Sequence, residues 1–396
     1  MASTQRRPRA LASPVRLKTS AHLVGYWWRG RFLLRHVPTR TTLVADPRAA
    51  QILHFFQEPH TPAELLSATS PRFRRLFQVT VRRLRRLSFL HRADRSPPGR
   101  DGALLAWGDW NPAASFFHFS TRDVTWASGP ARQAMEDAVG RQAPPDPVPR
   151  RRAGRAVVLP RPEAGGEFVD VLRDRRTWRG FGRRPLTSGA LAQLLHLTWG
   201  VQRWGRAGTG ERVAFKTSPS GGALNPLEAY VLALRVEGLP RGLYHYVADA
   251  HELELLRPGA TPAQVERYLG GQWFFRGAAA LVLMTAVVPR VRWRYPHAES
   301  YASVLLEAGH FCQTFCLVAT WLKLAPFCTV ALANSRIERD LGVDGVNEML
   351  LYAAGVGTRP AHGRHVGWPR HLPGRPYLPP YWRGPRRPVS SRPGSP

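Results

Sequence analysis

Pro219-Ser220-Gly221-Gly222-Ala223-Leu224-Asn225-Pro226-Leu227-Glu228 is the stretch on which the reading of this chain turns. A serine followed by two adjacent glycines lets backbone amides approach a flat ligand closely, with no Cβ in the way. The glycine spacing is not that of the dinucleotide fingerprint, and the lysine of a phosphate-binding P-loop is missing, so both of those loops are excluded. Taken alone, the stretch is also compatible with an ordinary turn. Its surroundings say more. Upstream, a helix over 168–176 leads into Leu186, and Thr187 is placed to cap a helix carrying Leu191, Leu194, Leu195 and Thr198 at helical spacing. Downstream, the pattern predicts strands at Glu228–Val236, Gly242–Tyr246, Leu253–Leu256 and Ala279–Val288. A long helix over about Tyr301 to Leu324 and a last strand at Met349–Ala354 complete the segment. Helices and strands interleave, so the fold class is α+β or α/β.

Two further motifs flank the loop. Arg175-Arg176-Thr177-Trp178-Arg179 brings three guanidinium groups and a hydroxyl within five residues. Such a set can encircle a phosphate, because arginine offers a planar fork of donors that stays charged; surface arginines in an arginine-rich chain are the plainer reading. Glu307-Ala308-Gly309-His310-Phe311-Cys312-Gln313 lies inside the long helix, where His310 and Gln313 share a face. A satisfied core histidine and a catalytic one are both open there. Cys312 and Cys316 also share a face, but two thiols with no third ligand make a poor metal site, and no metal ligand set is read from the sequence.

Composition sets the limits. The chain has 396 residues, 43% of them hydrophobic, enough for a sizeable core and more than one packed unit. Its formal net charge is +30, from 57 basic and 27 acidic residues, and only Lys18, Lys216 and Lys323 are lysines. So strong a preference for arginine points to coding bias as much as to a basic function. The three cysteines form no CxxC pair, which argues against a disulfide framework and for free thiols in a reducing, cytoplasmic setting. No secretory signal and no uncharged apolar run of membrane-spanning length is read.

Both ends are expected to be loose: residues 1–18 are basic and acid-free, and residues 361–396 are rich in proline and arginine. Residues 19–93 read as a small winged-helix-like unit. A Gly-turn hairpin around Gly25–Leu34 is followed by an Asp46-Pro47 helix start, a Thr61-Pro62-Ala63-Glu64 capping box and an arginine-dense helix from about Pro71 to Leu87. That last helix is open to three readings: a solvated face, a peptide-docking surface or a phosphate-contacting one. Residues 94–166 are a connector ending in a Pro/Arg linker.

The ordered motifs together resemble the SagB-type dehydrogenases of the nitroreductase superfamily, over about residues 167–360. These are RRTWRGF (175–181), PSGGALNPLE (219–228), GLYHY (242–246), WRY (293–295) and LLEAGHFCQ (305–313). The resemblance implies an α+β FMN-binding sandwich preceded by a small peptide-docking domain. It implies an enzyme that dehydrogenates thiazoline or oxazoline rings in a ribosomally made peptide. A homodimer with FMN at the subunit interface, a precursor-peptide substrate and a cyclodehydratase partner follow from it as well. Carried over by position, Arg175, Arg176, Thr177 and Arg179 would hold the FMN phosphate and ribityl chain. Pro219, Ser220, Gly221 and Gly222 would line the isoalloxazine, Gln272 would offer it an amide, and His310 and Gln313 would lie beside it. The family's catalytic Lys-Tyr pair is replaced here by Arg294-Tyr295. Other readings are a general NAD(P)H-dependent flavin reductase, a non-catalytic peptide or partner scaffold, and a nucleic-acid binder.

Overall fold

The computed structural model describes residues 14–123, 165–207, 210 and 212–361. They form two compact units. The first comprises the chain up to Arg122 with Val287–Val304 and Val343–Met349; the second comprises Asp123–Ala286, Leu305–Gly342 and the chain from Leu350.

In the first unit, strand β1 (Leu17–Thr19) begins inside the stretch expected to be loose and pairs antiparallel with β5 (Leu90–Arg92). Strands β2 (Leu23–Trp28), β3 (Arg31–His36) and β4 (Thr41–Val44) make a three-stranded antiparallel sheet, the third strand of which was not read from the sequence. Asp46 caps helix α1 (Pro47–Phe55) by accepting the Ala49 N–H at 2.9 Å. Thr61 and Glu64 close the expected capping box on α2 (Pro62–Ser67). Helix α3 (Arg74–Arg86) buries only Val81 and Leu84, so its arginines face outward. Those two side chains join Leu17, Ile52, Phe56 and Phe89 in the core. The connector contains helices α4 (Arg100–Leu105) and α5 (Ala113–Thr121); its Pro/Arg linker and the 362–396 tail lie outside the described residues.

The second unit is built on a six-stranded sheet of order β10-β9-β8-β11-β13-β12. Before it come helix α6 (Glu167–Asp174), helix α7 (Ser188–Trp199), capped by Thr187, and the small hairpin β6 (Arg203–Arg206) with β7 (Arg212–Phe215). The sheet strands are β8 (Leu227–Ala233), β9 (Gly242–Val247), β10 (Glu252–Pro258), β11 (Ala280–Val287), β12 (Leu324–Thr329) and β13 (Glu348–Thr358). Strands β8 and β11 are buried at almost every position, so both faces of the sheet are covered there. Helices α8 (Pro262–Tyr268), α10 (Glu299–Trp321) and α11 (Asn334–Leu341) complete the set, although the start of α10 up to Val304, like the whole of helix α9 (Val288–Arg292), belongs to the first unit. By length and composition α10 could cross a membrane. Its buried positions Val304, Ala308, Phe311, Phe315 and Ala319 recur at helical spacing, and Trp199 of α7 packs its ring against Phe311 and Phe315.

Candidate active site

In the second unit the Pro219–Gly222 loop is held against helix α10. Ser220 is extended, and Gly222 has left-handed backbone angles (φ 61°, ψ 18°), a conformation that favours glycine. The loop is closed by Asn225, whose N–H donates to Ser220 Oγ at 2.9 Å and whose Nδ2 donates to the Ala214 carbonyl at 2.7 Å. Toward the helix, Ser218 Oγ and Thr314 Oγ1 share a hydrogen bond of 2.6 Å, and Lys216 Nζ sits 5.9 Å from the Phe311 ring centroid. The Ser220 hydroxyl and the Gly221 N–H both donate to the Glu307 carboxylate. Residues 307, 311 and 314 lie on one stripe of α10, as spacings of three and four require.

Glu307 is 6% exposed, and its Oε1 has no hydrogen-bond partner. Burial pushes its carboxyl up to about 7, outweighing the two loop donors and Lys216, which favour the anion. The sequence reading passed over this residue in favour of His310 and Gln313. Both of those are exposed, on the neighbouring face of the same helix. A lone carboxylate one turn before Phe311, on the apolar stripe of the helix, was the available signal.

The arginine stretch follows α6 and runs beside the sheet. The Trp178 N–H donates to the Pro326 carbonyl at 2.9 Å and the Gly182 N–H to the Thr358 carbonyl at 2.7 Å, anchoring it to β12 and β13. Trp178 is buried beneath the Arg359 guanidinium, 5.2 Å from its ring centroid. Arg179 lies 6.0 Å from the Phe274 ring centroid, while Arg176 turns back onto the Arg173 and Arg175 carbonyls. Arg175 and Thr177 are half-buried. Gln272 donates its Nε2 to the Leu269 carbonyl at 2.9 Å and to Thr329 Oγ1 at 3.0 Å, so its amide hydrogens are committed within the protein.

Arg294 and Tyr295 belong to the first unit, unlike every cofactor candidate. They close α9, with the Tyr295 N–H donating to the Val291 carbonyl at 2.9 Å. The Tyr295 carbonyl in turn accepts from Trp110 Nε1 at 3.3 Å and Ser300 Oγ at 3.0 Å. Arg294 is exposed and Tyr295 half-buried.

The cysteines require a correction. Cys328, from β12, is the third thiol that the helix pair Cys312 and Cys316 lacked in sequence, and the three sulfurs lie within 4.8 Å of one another. Cys328 accepts from the other two thiols and from the Tyr352 hydroxyl at 3.5 Å, which pulls its proton affinity far down.

The loop itself leaves room for the flat ring system of a flavin. The outward face of the loop is open, since a Cβ on Gly221 would meet nothing within 4 Å, while its inner face is pinned by a buried carboxylate with one unpartnered oxygen.

Residues 172–358 match the model of the nitroreductase family. The nitroreductase-named MJ1384 of Methanocaldococcus jannaschii is 30% identical over 177 residues, 45% of this chain and 85% of that protein. The trifolitoxin operon protein TfxC of Rhizobium leguminosarum bv. trifolii is 23% identical over 257 residues, 62% of this chain and 71% of that protein. Among solved structures, the Escherichia coli microcin synthetase complex McbBCD, with truncated pro-MccB17 bound, matches at 20% identity and a TM-score of 0.43. That match covers 60% of this chain and 85% of the other. The chain belongs to the nitroreductase family and has its α+β fold. It is accordingly a flavin-dependent oxidoreductase, related to proteins of peptide natural-product maturation.

Proposed function

We propose that the chain is an FMN-dependent dehydrogenase of SagB type, which oxidises azoline rings in a ribosomally made peptide. The observation that carries this reading is the Ser220–Gly222 loop clamped to Glu307 of α10, with its outer face open. FMN, when bound, supplies the acceptor for the hydride that leaves one ring carbon. Arg175, Arg176, Thr177 and Arg179 would hold its phosphate and ribityl chain, and the Pro219–Gly222 backbone its ring system. Gln272 would reach it through Oε1, the end of its amide not already donating. His310 and Gln313 would flank it from the exposed face of α10.

The neighbouring ring carbon must also lose a proton. The guanidinium of Arg294 offers donors only and has no lone pair to take it. Its part is electrostatic, with Tyr295 beside it held in place through its main-chain carbonyl. Glu307 Oε1, buried and without a hydrogen-bond partner, is suited to holding a proton near neutrality.

Peptide recruitment falls to the first unit. Between β1 and α3 runs a groove lined by Leu17, Pro62, Leu66 and Val81, with Arg82 and Arg85 at its side. An apolar groove with a cationic flank suits an acidic leader peptide carrying apolar side chains. A cyclodehydratase would supply the heterocyclised substrate. Exposed Phe168, Leu172 and Leu306 in the second unit support a homodimer that covers them, with FMN at its interface. Three free thiols support a reducing, cytoplasmic setting for the reaction.

The test is to purify the protein without added flavin, release and identify the chromophore, and assay an azoline-bearing peptide with and without NAD(P)H. FMN near one per chain and NAD(P)H-independent aromatisation are expected. Rapid bleaching by NAD(P)H with no azoline turnover would favour a general flavin reductase, and a protein that takes up no FMN would remove the reading.

A further inference from the structure

Two imidazole nitrogens in the first unit face a single carboxylate oxygen. His36 Nε2 lies 3.2 Å and His91 Nε2 3.3 Å from Asp101 Oδ2. Neither approach has hydrogen-bond geometry, and both Nε2 atoms are buried with no hydrogen-bond partner. The three residues come from β3, β5 and α4. The His36 side chain is fully buried, and those of Asp101 and His91 are nearly so.

The hydrogen-bond chain behind His36 fixes its tautomer. Thr39 Oγ1 donates its hydrogen to Thr41 Oγ1 at 3.0 Å, so in its 2.8 Å contact with His36 Nδ1 it is the acceptor, and Nδ1 carries the hydrogen. In a neutral ring, Nε2 then turns a lone pair toward a carboxylate oxygen, an arrangement that calls for a cation between them. A proton could serve one imidazole, but two protonated rings around one carboxylate would leave net positive charge buried. His22 does not enter the set: its Nε2 lies 2.9 Å from the Asp101 carbonyl and fixes that main chain instead.

The distances are those of a metal site. Zinc binds histidine nitrogen at about 2.0–2.1 Å and carboxylate oxygen at about 2.0–2.2 Å, so neighbouring ligands of a tetrahedral ion stand roughly 3.3–3.5 Å apart. The two observed separations, 3.2 and 3.3 Å, are close to such edges. A histidine whose other ring nitrogen donates to a fixed acceptor, as His36 does to Thr39, is the usual form of a metal ligand. We propose that His36, His91 and Asp101 bind one divalent transition cation of the zinc type, which ties β3, β5 and α4 together within the first unit. The burial of the site assigns the ion a structural role.

The test uses the full chain, stripped with a chelator and dialysed against zinc(II), with stoichiometry, melting temperature and X-ray absorption as readouts. One ion per chain is expected, ligated by nitrogen and oxygen at about 2.0–2.2 Å, with a raised melting temperature. His91→Gln should abolish both effects, and Thr39→Val, which removes only the support for His36, should weaken binding about 10–100-fold. Three results would overturn the proposal, and the wild-type chain alone can give the first two. One is no zinc retained; another is zinc held only by sulfur at about 2.3 Å, which would place it at the cysteine trio. The last is binding and thermal shift unchanged in both variants.

Discussion

Ser220 donates its hydroxyl hydrogen to the Glu307 carboxylate while its oxygen accepts the Asn225 N–H at 2.9 Å. One side chain thus joins the two ends of the loop and fastens it to the helix. Loop shape and carboxyl protonation are thereby coupled.

That coupling predicts a pH dependence. Glu307 is raised from the ordinary 4.5 to about 7, chiefly by burial. A group with a raised folded-state value adds stability that is fully present below 4.5 and lost as pH rises through about 7. The difference amounts to at most about 3 kcal/mol. Unfolding free energies of the flavin-free protein at pH 5 and pH 8 should converge in Glu307→Gln, which keeps an acceptor for Ser220 but cannot ionise. Equal slopes in variant and wild type would contradict the assignment.

The two loop glycines should separate stability from cofactor binding. Gly222→Ala forces a Cβ into the left-handed region and should destabilise the protein by about 1–2 kcal/mol. Gly221→Ala has open space around it and should leave stability nearly unchanged. Its methyl nevertheless stands on the face proposed for the flavin, so FMN uptake should fall in both variants. Thermal melts and flavin titration of the pair give the comparison.

Arg294→Lys restores a side chain that can lose its proton. On an azoline peptide its rate should exceed wild type and rise with pH through the lysine titration, whereas wild type stays flat over that range. If the two profiles coincide, residue 294 takes no part in proton removal.

His118 ties acid sensitivity to the first unit. Arg122 Nη1 and the Gly345 carbonyl both approach its Nε2, at 2.6 and 3.1 Å, and its Nδ1 shares a 2.9 Å hydrogen bond with the Tyr301 hydroxyl. Burial, with Arg122 next in weight, lowers His118 from 6.5 to about 3. Its stabilising contribution is whole above 6.5 and lost as pH falls toward 3, a matter of several kcal/mol. His118→Gln should be less stable at neutral pH but lose less on acidification, as denaturant melts at pH 7 and pH 4 would show.

Much of the second unit was legible because its signals are local. Thr187 caps α7 where the sequence placed it, and α10 begins two residues before Tyr301 and ends three before Leu324. What escaped depends on distant partners. Strand β12 was not read from the sequence: Leu324–Thr329 contains Pro326 and shows no alternation, and it is a strand through its pairing with β13. Pro326 is tolerated on an outer strand of the sheet. Glu307 stood inside a quoted motif, yet its significance comes from a loop some ninety residues earlier. His36, His91 and Asp101 follow no ligand spacing, and only the fold makes them neighbours.

All three thiols of the chain sit in the second unit, two on α10 and one on β12. The first unit carries none, so a thiol-reactive dye is blind to it. Labelling kinetics in the intact protein therefore time the opening of one unit's interior, because the helix and the strand must part before the three sulfurs meet solvent together. A single labelling phase would mark that interior as one cooperative block, while early reaction of half-buried Cys328 would date the release of the strand ahead of the helix.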